Sequence, residues 1–308
     1  MPSLNVTQII DTIRGILKDK ALPYSYPTPD IVKYLNQTVE QISVDTLCFK
    51  HSMATGKVTW TDLTIVGTTK TITTVAGNWF LYGFAKNDVI TISGAVNSTN
   101  NGSKTILDID DDGKVLTVGE TMANGSGGSV TLLKSSAPCR IVVAANTNNY
   151  KLDERIISID KESVRVESNG FPLAYSWKNS IVNFDPLWLT STSNCPTYYI
   201  LDYEPNFITL YPTPTVADAI VFTSCCRPFK EIGSGERDYY IELPYNFHVD
   251  IVSGVISNMA LVADLDAFDK DIIGAHVNKY KILKNDIRSY MNKSIPQPNV
   301  AYPYAGAL

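Results

Sequence analysis

Histidine is scarce in this chain: there are three, at His51, His248 and His276. None falls in an HExxH pattern and none pairs with cysteine at zinc-ligand spacing, so the sequence does not gather a zinc site. His248 and His276 read as ordinary helical histidines. No GxSxG elbow occurs, which removes the usual signature of a hydrolase nucleophile. Gly233-Ser234-Gly235 lacks the Lys-Ser/Thr that follows a phosphate-binding loop, and reads as a linker. Basic excess is also missing. The net charge is −5, whereas domains that wrap nucleic acid by neutralising phosphates are strongly basic. Aromatic residues are plentiful but have no basic clusters beside them in sequence, so base stacking is not indicated.

No apolar run is long enough to span a bilayer. The opening residues MPSLNVTQ lack a charged segment followed by an apolar one, so no secretory signal is expected. The five cysteines are irregularly spaced, and the adjacent Cys225 and Cys226 would face opposite ways on a strand. Free thiols are expected. Sequons such as Asn97-Ser98-Thr99 read as chance in an Asn/Ser/Thr-rich chain.

What is present begins with helix. Val6, Ile9, Ile10, Ile13 and Leu17 recur at helical spacing, with Ser3 as candidate cap. Pro23 and Pro27 break the pattern. Thr28-Pro29 opens a second helix with apolar face Ile31, Leu35, Val39 and Ile42. Residues 57–133 change texture to Thr, Gly, Asn, Val and Ile. Val89-Ile90-Thr91-Ile92 and Lys114 to Val118 alternate, and Asn101-Gly102, Asp112-Gly113 and Asn124-Gly125 supply turns, so about six short strands are expected. Longer aromatic strands follow, with candidates over residues 140–143, 155–159, 163–167, 181–184, 197–202, 207–211 and 219–224. Helix returns after Pro244 with Phe247, Ile251, Val255, Met259 and Val262. A last helix, capped by Asp266, carries Phe268, Ile272, Tyr280, Leu283 and Ile287, with acidic residues early and basic ones late, as the helix dipole favours. Residues 294–308, SIPQPNVAYPYAGAL, hold three prolines, two tyrosines and no charge.

The expected fold class is α+β: a helical bundle built from N- and C-terminal helices, a central antiparallel β region, and an inserted small β-barrel or sandwich module. The expected boundaries are residues 1–55 with 236–293 for the helical domain, 56–135 for the insert, 136–235 for the β region and 294–308 for an extended tail.

Two patterns invite chemistry. Asp108 to Gly113 matches the opening D-x-D-x-D-G of a calcium loop, but position twelve is Gly119, not a bidentate glutamate, and Glu120 comes one place late. Asp112-Gly113 between alternating runs is also a hairpin turn, which is the favoured reading. Asp202 and Glu204 lie among Tyr198, Tyr199 and Tyr203, where a glycosidase would need two carboxyls about 5–10 Å apart. Ordinary surface acids are the plainer reading. Trp177 and Trp188 read as core or interface anchors.

One succession of motifs carries a family resemblance: Tyr150-Lys151-Leu152-Asp153-Glu154-Arg155, Phe184-Asp185-Pro186-Leu187-Trp188, Cys195-Pro196-Thr197-Tyr198-Tyr199, Ile208 to Pro214, a strand from Ala219 ending at Arg227-Pro228, and Glu242-Leu243-Pro244 before a helix. It resembles the head-to-tail adaptor (connector) proteins of tailed bacteriophages, over about residues 1–50 and 140–293. Gly83 to Gly94 with Asn100-Asn101-Gly102 is similar to small β modules of phage neck and tail proteins.

The resemblance implies a structural virion protein at the head–tail junction, assembled in the host cytoplasm, with no catalytic residue, metal or cofactor. Its partners would be the portal protein, tail or nozzle proteins and further copies in a ring of twelve. Genomic DNA would pass through the lumen without sequence-specific binding, which a mildly acidic chain permits. No membrane partner is expected. The candidate portal-binding residues are Pro296, Pro298, Tyr302, Pro303 and Tyr304, because prolines lower the entropy lost on docking and tyrosines anchor interfaces. The rival expectation is a virion-associated carbohydrate-active or carbohydrate-binding tail protein using Asp202 and Glu204.

Overall fold

The computed structural model describes residues 4–19, 22, 25–110, 112–126, 128–233, 235, 241, 243, 245–262 and 270–294. Among them are five α-helices: α1 (Val6–Ile16), α2 (Thr28–Thr46), α3 (Lys178–Phe184), α4 (Ile251–Val262) and α5 (Lys270–Ser294). The chain divides into two compact units, one from Met1–Cys48 with Leu243–Leu308, the other from Phe49–Glu242.

In the first unit, α1 buries Val6, Ile9, Ile10 and Ile13. Its cap is Asn5 and not Ser3, which lies outside the described residues. Asn5 Oδ1 accepts from Gln8 N at 2.9 Å and Gln8 Oε1 accepts from Asn5 N at 3.0 Å, so two orphan donors are satisfied reciprocally. Asp19 then pins the return loop. It pairs with buried Arg14 at 3.0 Å and accepts from the backbone of Ser25 and Tyr26. α2 buries Ile31, Leu35, Val39 and Ile42. α4 is apolar nearly all round and is buried from Ile251 to Ala260, as a helix without a polar face must be. Polar groups along it find partners on its neighbours. Asn258 Nδ2 donates to Thr38 Oγ1 at 2.9 Å and Gln41 Oε1 at 3.1 Å, and Ser253 Oγ bonds to His276 Nδ1 at 3.1 Å. His248 is a structural residue, accepting from Leu4 N at its Nδ1 and bonded to Leu243 O through Nε2 at 2.8 Å. Asp266 and Phe268 fall outside the described residues.

α4 also approaches α2 closely at Gly254, where an added Cβ would lie 2.5 Å from Thr38 Cγ2 and 2.7 Å from a Tyr280 ring carbon. Overpacking of this kind costs about 1–3 kcal/mol, against roughly 1 kcal/mol gained when alanine replaces a helical glycine. Gly254→Ala is therefore expected to lower the midpoint of urea unfolding. An unchanged or raised midpoint would show that the contact yields freely.

The second unit holds the five sheets found among the described residues. Its largest has eight antiparallel strands in the order Lys57–Trp60, Val130–Lys134, Val89–Ser93, Gly102–Ile109, Val115–Val118, Thr71–Thr73, Thr64–Val66, Gly125–Ser126. A register shift between Ile106 and Asp108 lets the long strand Gly102–Ile109 serve both halves of the sheet. The buried side chains form one core around Trp79, Phe84, Ile90, Ile106 and Leu116. Trp79 Nε1 donates to Lys114 O at 3.1 Å, which satisfies the one polar atom of that side chain. A second core, around Ile141, Val166, Tyr199, Ile208, Leu210 and Phe222, lies under the remaining sheets.

Two expectations are corrected here. The fold is not an α+β helical bundle carrying a small inserted β module. It is mostly β, and the sheet built by the expected insert is the largest element of the chain. Short strands cannot stand alone, so they collect edge to edge until one face is buried. Second, residues 181–184 are not a strand. They end α3, whose first backbone N–H, at Lys178, is held by the Asp202 carboxylate at 3.0 Å. A short apolar run does not by itself distinguish the two states.

Candidate functional site

A hydrogen-bonded loop follows α3. It begins within the Phe184-Asp185-Pro186-Leu187-Trp188 motif. Pro186 favours a turn, and Trp188 N closes it on Asp185 O at 3.1 Å. Thr190 N and its hydroxyl both return to Leu187 O at 2.8 Å. The Asp185 carboxylate holds the whole together. It accepts from Ser191 Oγ, from Tyr211 Oη at 3.0 Å and from Leu187 N at 3.0 Å. These bonds, that from Ser191 first, hold its pKa below the usual carboxylate value. Trp188 turns inward against Ile181, Ile200 and Tyr211, with Tyr203 edge-on at 5.2 Å.

The consequence is that the other large side chains point out. Phe184 is 79% exposed, Leu187 72% and Leu189 53%. Burying side chains of this size is worth about 1.5–3 kcal/mol each, so the end of α3 and the hydrogen-bonded loop after it leave three of them uncovered as an apolar patch. Trp177, just before α3, is also exposed. Lys161 Nζ sits 3.9 Å from the Tyr175 ring centroid and 5.3 Å from that of Trp177. The chain thus brings a lysine onto aromatics that stand apart from basic clusters in sequence.

The Tyr150 to Ile159 motif has a different role. Burial alone would raise the Asp153 carboxyl, but Arg155 and Lys134 hold it well below the usual range. Arg155 donates to it through Nε and Nη2, both at 2.9 Å, and Lys134 Nζ lies 3.1 Å away. Lys134 also pairs with Asp88 at 2.6 Å, and Arg155 Nη2 donates to Gly83 O at 2.8 Å. The motif therefore locks the eight-stranded sheet to the rest of its unit. His51 packs on Phe229 with centroids 4.2 Å apart. Burial, with the nearby charge of Arg155, lowers its pKa to about 4.

Asp202 holds the start of α3, and Glu204 accepts from Asn149 Nδ2 at 2.6 Å. Strands Gly102–Ile109 and Val115–Val118 pair antiparallel across residues 110–114, so Asp112-Gly113 is a hairpin turn. Asp110 Oδ1 there accepts from Lys114 N and Val115 N at 2.6 and 2.7 Å. Asp111 is outside the described residues, and among the described residues no three His, Cys, Asp or Glu side chains are grouped to hold a metal. Pro296, Pro298, Tyr302, Pro303 and Tyr304 lie outside the described residues. The bracing by Tyr211 and Ser191 has no signal in the sequence beyond the Asp-Pro turn.

Comparison with known proteins finds no matching family model and no matching curated protein.

Proposed function

We propose that this chain is a structural subunit of a tailed-phage head–tail junction, an adaptor that joins the portal to the tail by surface contact and catalyses nothing. The observation that carries this reading is the braced loop: the motif Phe184 to Trp188, one of those that resemble the adaptor family, commits its carboxylate and its tryptophan to rigidity and leaves Phe184 and Leu187 uncovered. A preorganised apolar surface loses little entropy on docking, which is what an assembly subunit needs. The mild negative charge, −5, suits a lumen through which DNA slides. Ring formation by twelve copies, tail or nozzle partners and a virion location belong to the same proposal.

The uncharged segment 294–308, with Pro296, Pro298 and Pro303 beside Tyr302 and Tyr304, is proposed as the arm that grips the portal. The test is a titration of the full chain, and of a chain ending at Lys293, against purified portal rings. The full chain should bind, and the truncated chain should not. Tyr302→Ala with Tyr304→Ala should weaken binding by roughly 2–4 kcal/mol. No binding by the full chain would overturn the adaptor reading. Full-strength binding by the truncated chain would remove the arm from it.

A further inference from the structure

Trp177 precedes α3 and is 56% exposed, yet the chain on either side of it is held. Before it, Tyr175 lies on the edge strand Ala174–Tyr175, which pairs with Tyr198–Ile200. The Tyr175 and Trp177 rings meet edge-to-face with centroids 5.2 Å apart. After it, the Asp202 carboxylate accepts from Lys178 N at 3.0 and 3.3 Å. Tyr199 Oη donates to Lys161 O at 2.9 Å, which ties the loop carrying Lys161 to the same sheet. Lys161 Nζ thereby lies over the Tyr175 ring and 5.3 Å from the Trp177 centroid. Lys178 Nζ lies over the Tyr203 ring at 4.9 Å. These groups keep unmet bonding capacity. Among the described residues neither lysine has an ion-pair partner, and the Tyr175 hydroxyl has no hydrogen-bond partner. Burial, and then the charge of Asp202, raises the Tyr175 pKa, so that hydroxyl keeps a proton to donate at neutral pH. A carboxylate has about four acceptor sites, and among the described residues Asp202 receives only the N–H of Lys178.

We propose that Trp177, with Lys161, Tyr175 and Asp202, binds an acidic sugar unit of a polysaccharide, a pyranose that carries a carboxylate. Each part of that ligand answers one of the groups. The apolar C–H face of a pyranose suits the electron-rich face of an exposed indole. Its hydroxyls donate to Asp202 and accept from Tyr175 Oη. Its carboxylate pairs with the Lys161 ammonium in a charge-assisted bond. Lys178 over Tyr203 repeats the combination of ring and ammonium, and offers it to an adjoining unit. A nucleic-acid strand answers these groups less well. Its phosphates bring no donor to Asp202, and closely spaced phosphates call for a basic surface, whereas the chain carries a net charge of −5. This binding site goes beyond the adaptor reading and does not rest on it.

The test uses the full-length chain, without portal, and three hexuronate polymers: polygalacturonate, polymannuronate and hyaluronan. Electrophoresis through gels containing each polymer should show retardation by at least one, and calorimetric titration then measures its affinity. The methyl ester of the same polymer, which keeps the sugar ring and loses the charge, should bind more weakly. Trp177→Ala should weaken binding about tenfold or more with an unchanged melting temperature, because the side chain is exposed. Lys161→Gln should bring the acid polymer down to the affinity of its ester. Binding to none of the three polymers, binding by Trp177→Ala equal to that of the parent, an undiminished preference of Lys161→Gln for the acid form, or tighter binding of a thymidine oligonucleotide than of the polymer would each overturn the proposal. Portal rings do not enter these measurements, so the sugar site and the adaptor reading fail separately.

Discussion

Arg155→Ala is expected to cost about 3–5 kcal/mol of unfolding free energy, because it removes one partner of a buried ion cluster and leaves the others behind. Arg155 makes two side-chain bonds to Asp153, one to Gly83 O, and covers the Phe229 ring at 5.3 Å. Without it, Asp153 and Asp88 share the single charge of Lys134 in a place where both carboxylates are largely shielded from water. An exposed pair in the same motif offers the contrast. Lys151 and Glu154 lie 2.9 Å apart but are open to solvent, and Lys151→Ala should leave the unfolding free energy nearly unchanged. Urea unfolding of the full-length variants measures both. A loss below about 1 kcal/mol for Arg155→Ala would mean that water enters the cluster and that the junction is not held by it. Replacing Asp153, Arg155 and Lys134 together by apolar residues of similar volume should cost less than Arg155→Ala alone, since the desolvation penalty leaves with the charges.

That cluster leaves no trace in the linear sequence. Periodicity within one element is legible: Ile31, Leu35, Val39 and Ile42 are buried on α2, and Val89–Ser93 alternates between exposed and buried as its residues do. So is local turn chemistry at Asn101-Gly102 and Asp112-Gly113, where Gly102 and Gly113 take positive φ. Lys134 offers no such sign. Its partners Asp88 and Asp153 lie on either side of it at long range, and nothing in a linear pattern couples them. The eight-stranded sheet exceeds the six strands expected for a related reason. Most of its runs are visible as strands, but the order in which strands meet depends on which edges bury the most, a property of the whole set. The loop after α3 is visible as a motif. Which of Phe184, Leu187 and Trp188 faces inward is decided by Asp185 and its bonds to Ser191 and Tyr211, residues up to 26 positions away.

Acid should weaken the second unit before its carboxylates titrate, and His51 is the cause. The ordinary imidazole pKa is 6.5, and in the folded chain burial and then the Arg155 charge lower it to about 4. Between these values the unfolded chain binds a proton that the folded chain refuses. Stability therefore falls as pH drops through about 6.5, and the contribution is gone once pH passes about 4. Each pH step of one between the two values removes about 1.36 kcal/mol, so the whole loss is about 3 kcal/mol. His276, on α5, is also lowered by burial, and belongs to the other unit, so a His276→Asn background isolates the effect of His51. The carboxylates of Asp153, Asp160 and Glu167 are lowered in the folded state. Their contributions persist as pH falls to the ordinary carboxylate range and are lost only below it. His51→Phe keeps a ring on Phe229, and it removes a buried Nε2 that has no hydrogen-bond partner among the described residues, so it should fold without penalty at neutral pH. Denaturant unfolding of both proteins at intervals from pH 7 to pH 4 should give a falling curve for the parent and a nearly flat one for His51→Phe. Parallel curves would mean that His51 takes its proton in the folded state as readily as in the unfolded one, and that the stack on Phe229 opens to water.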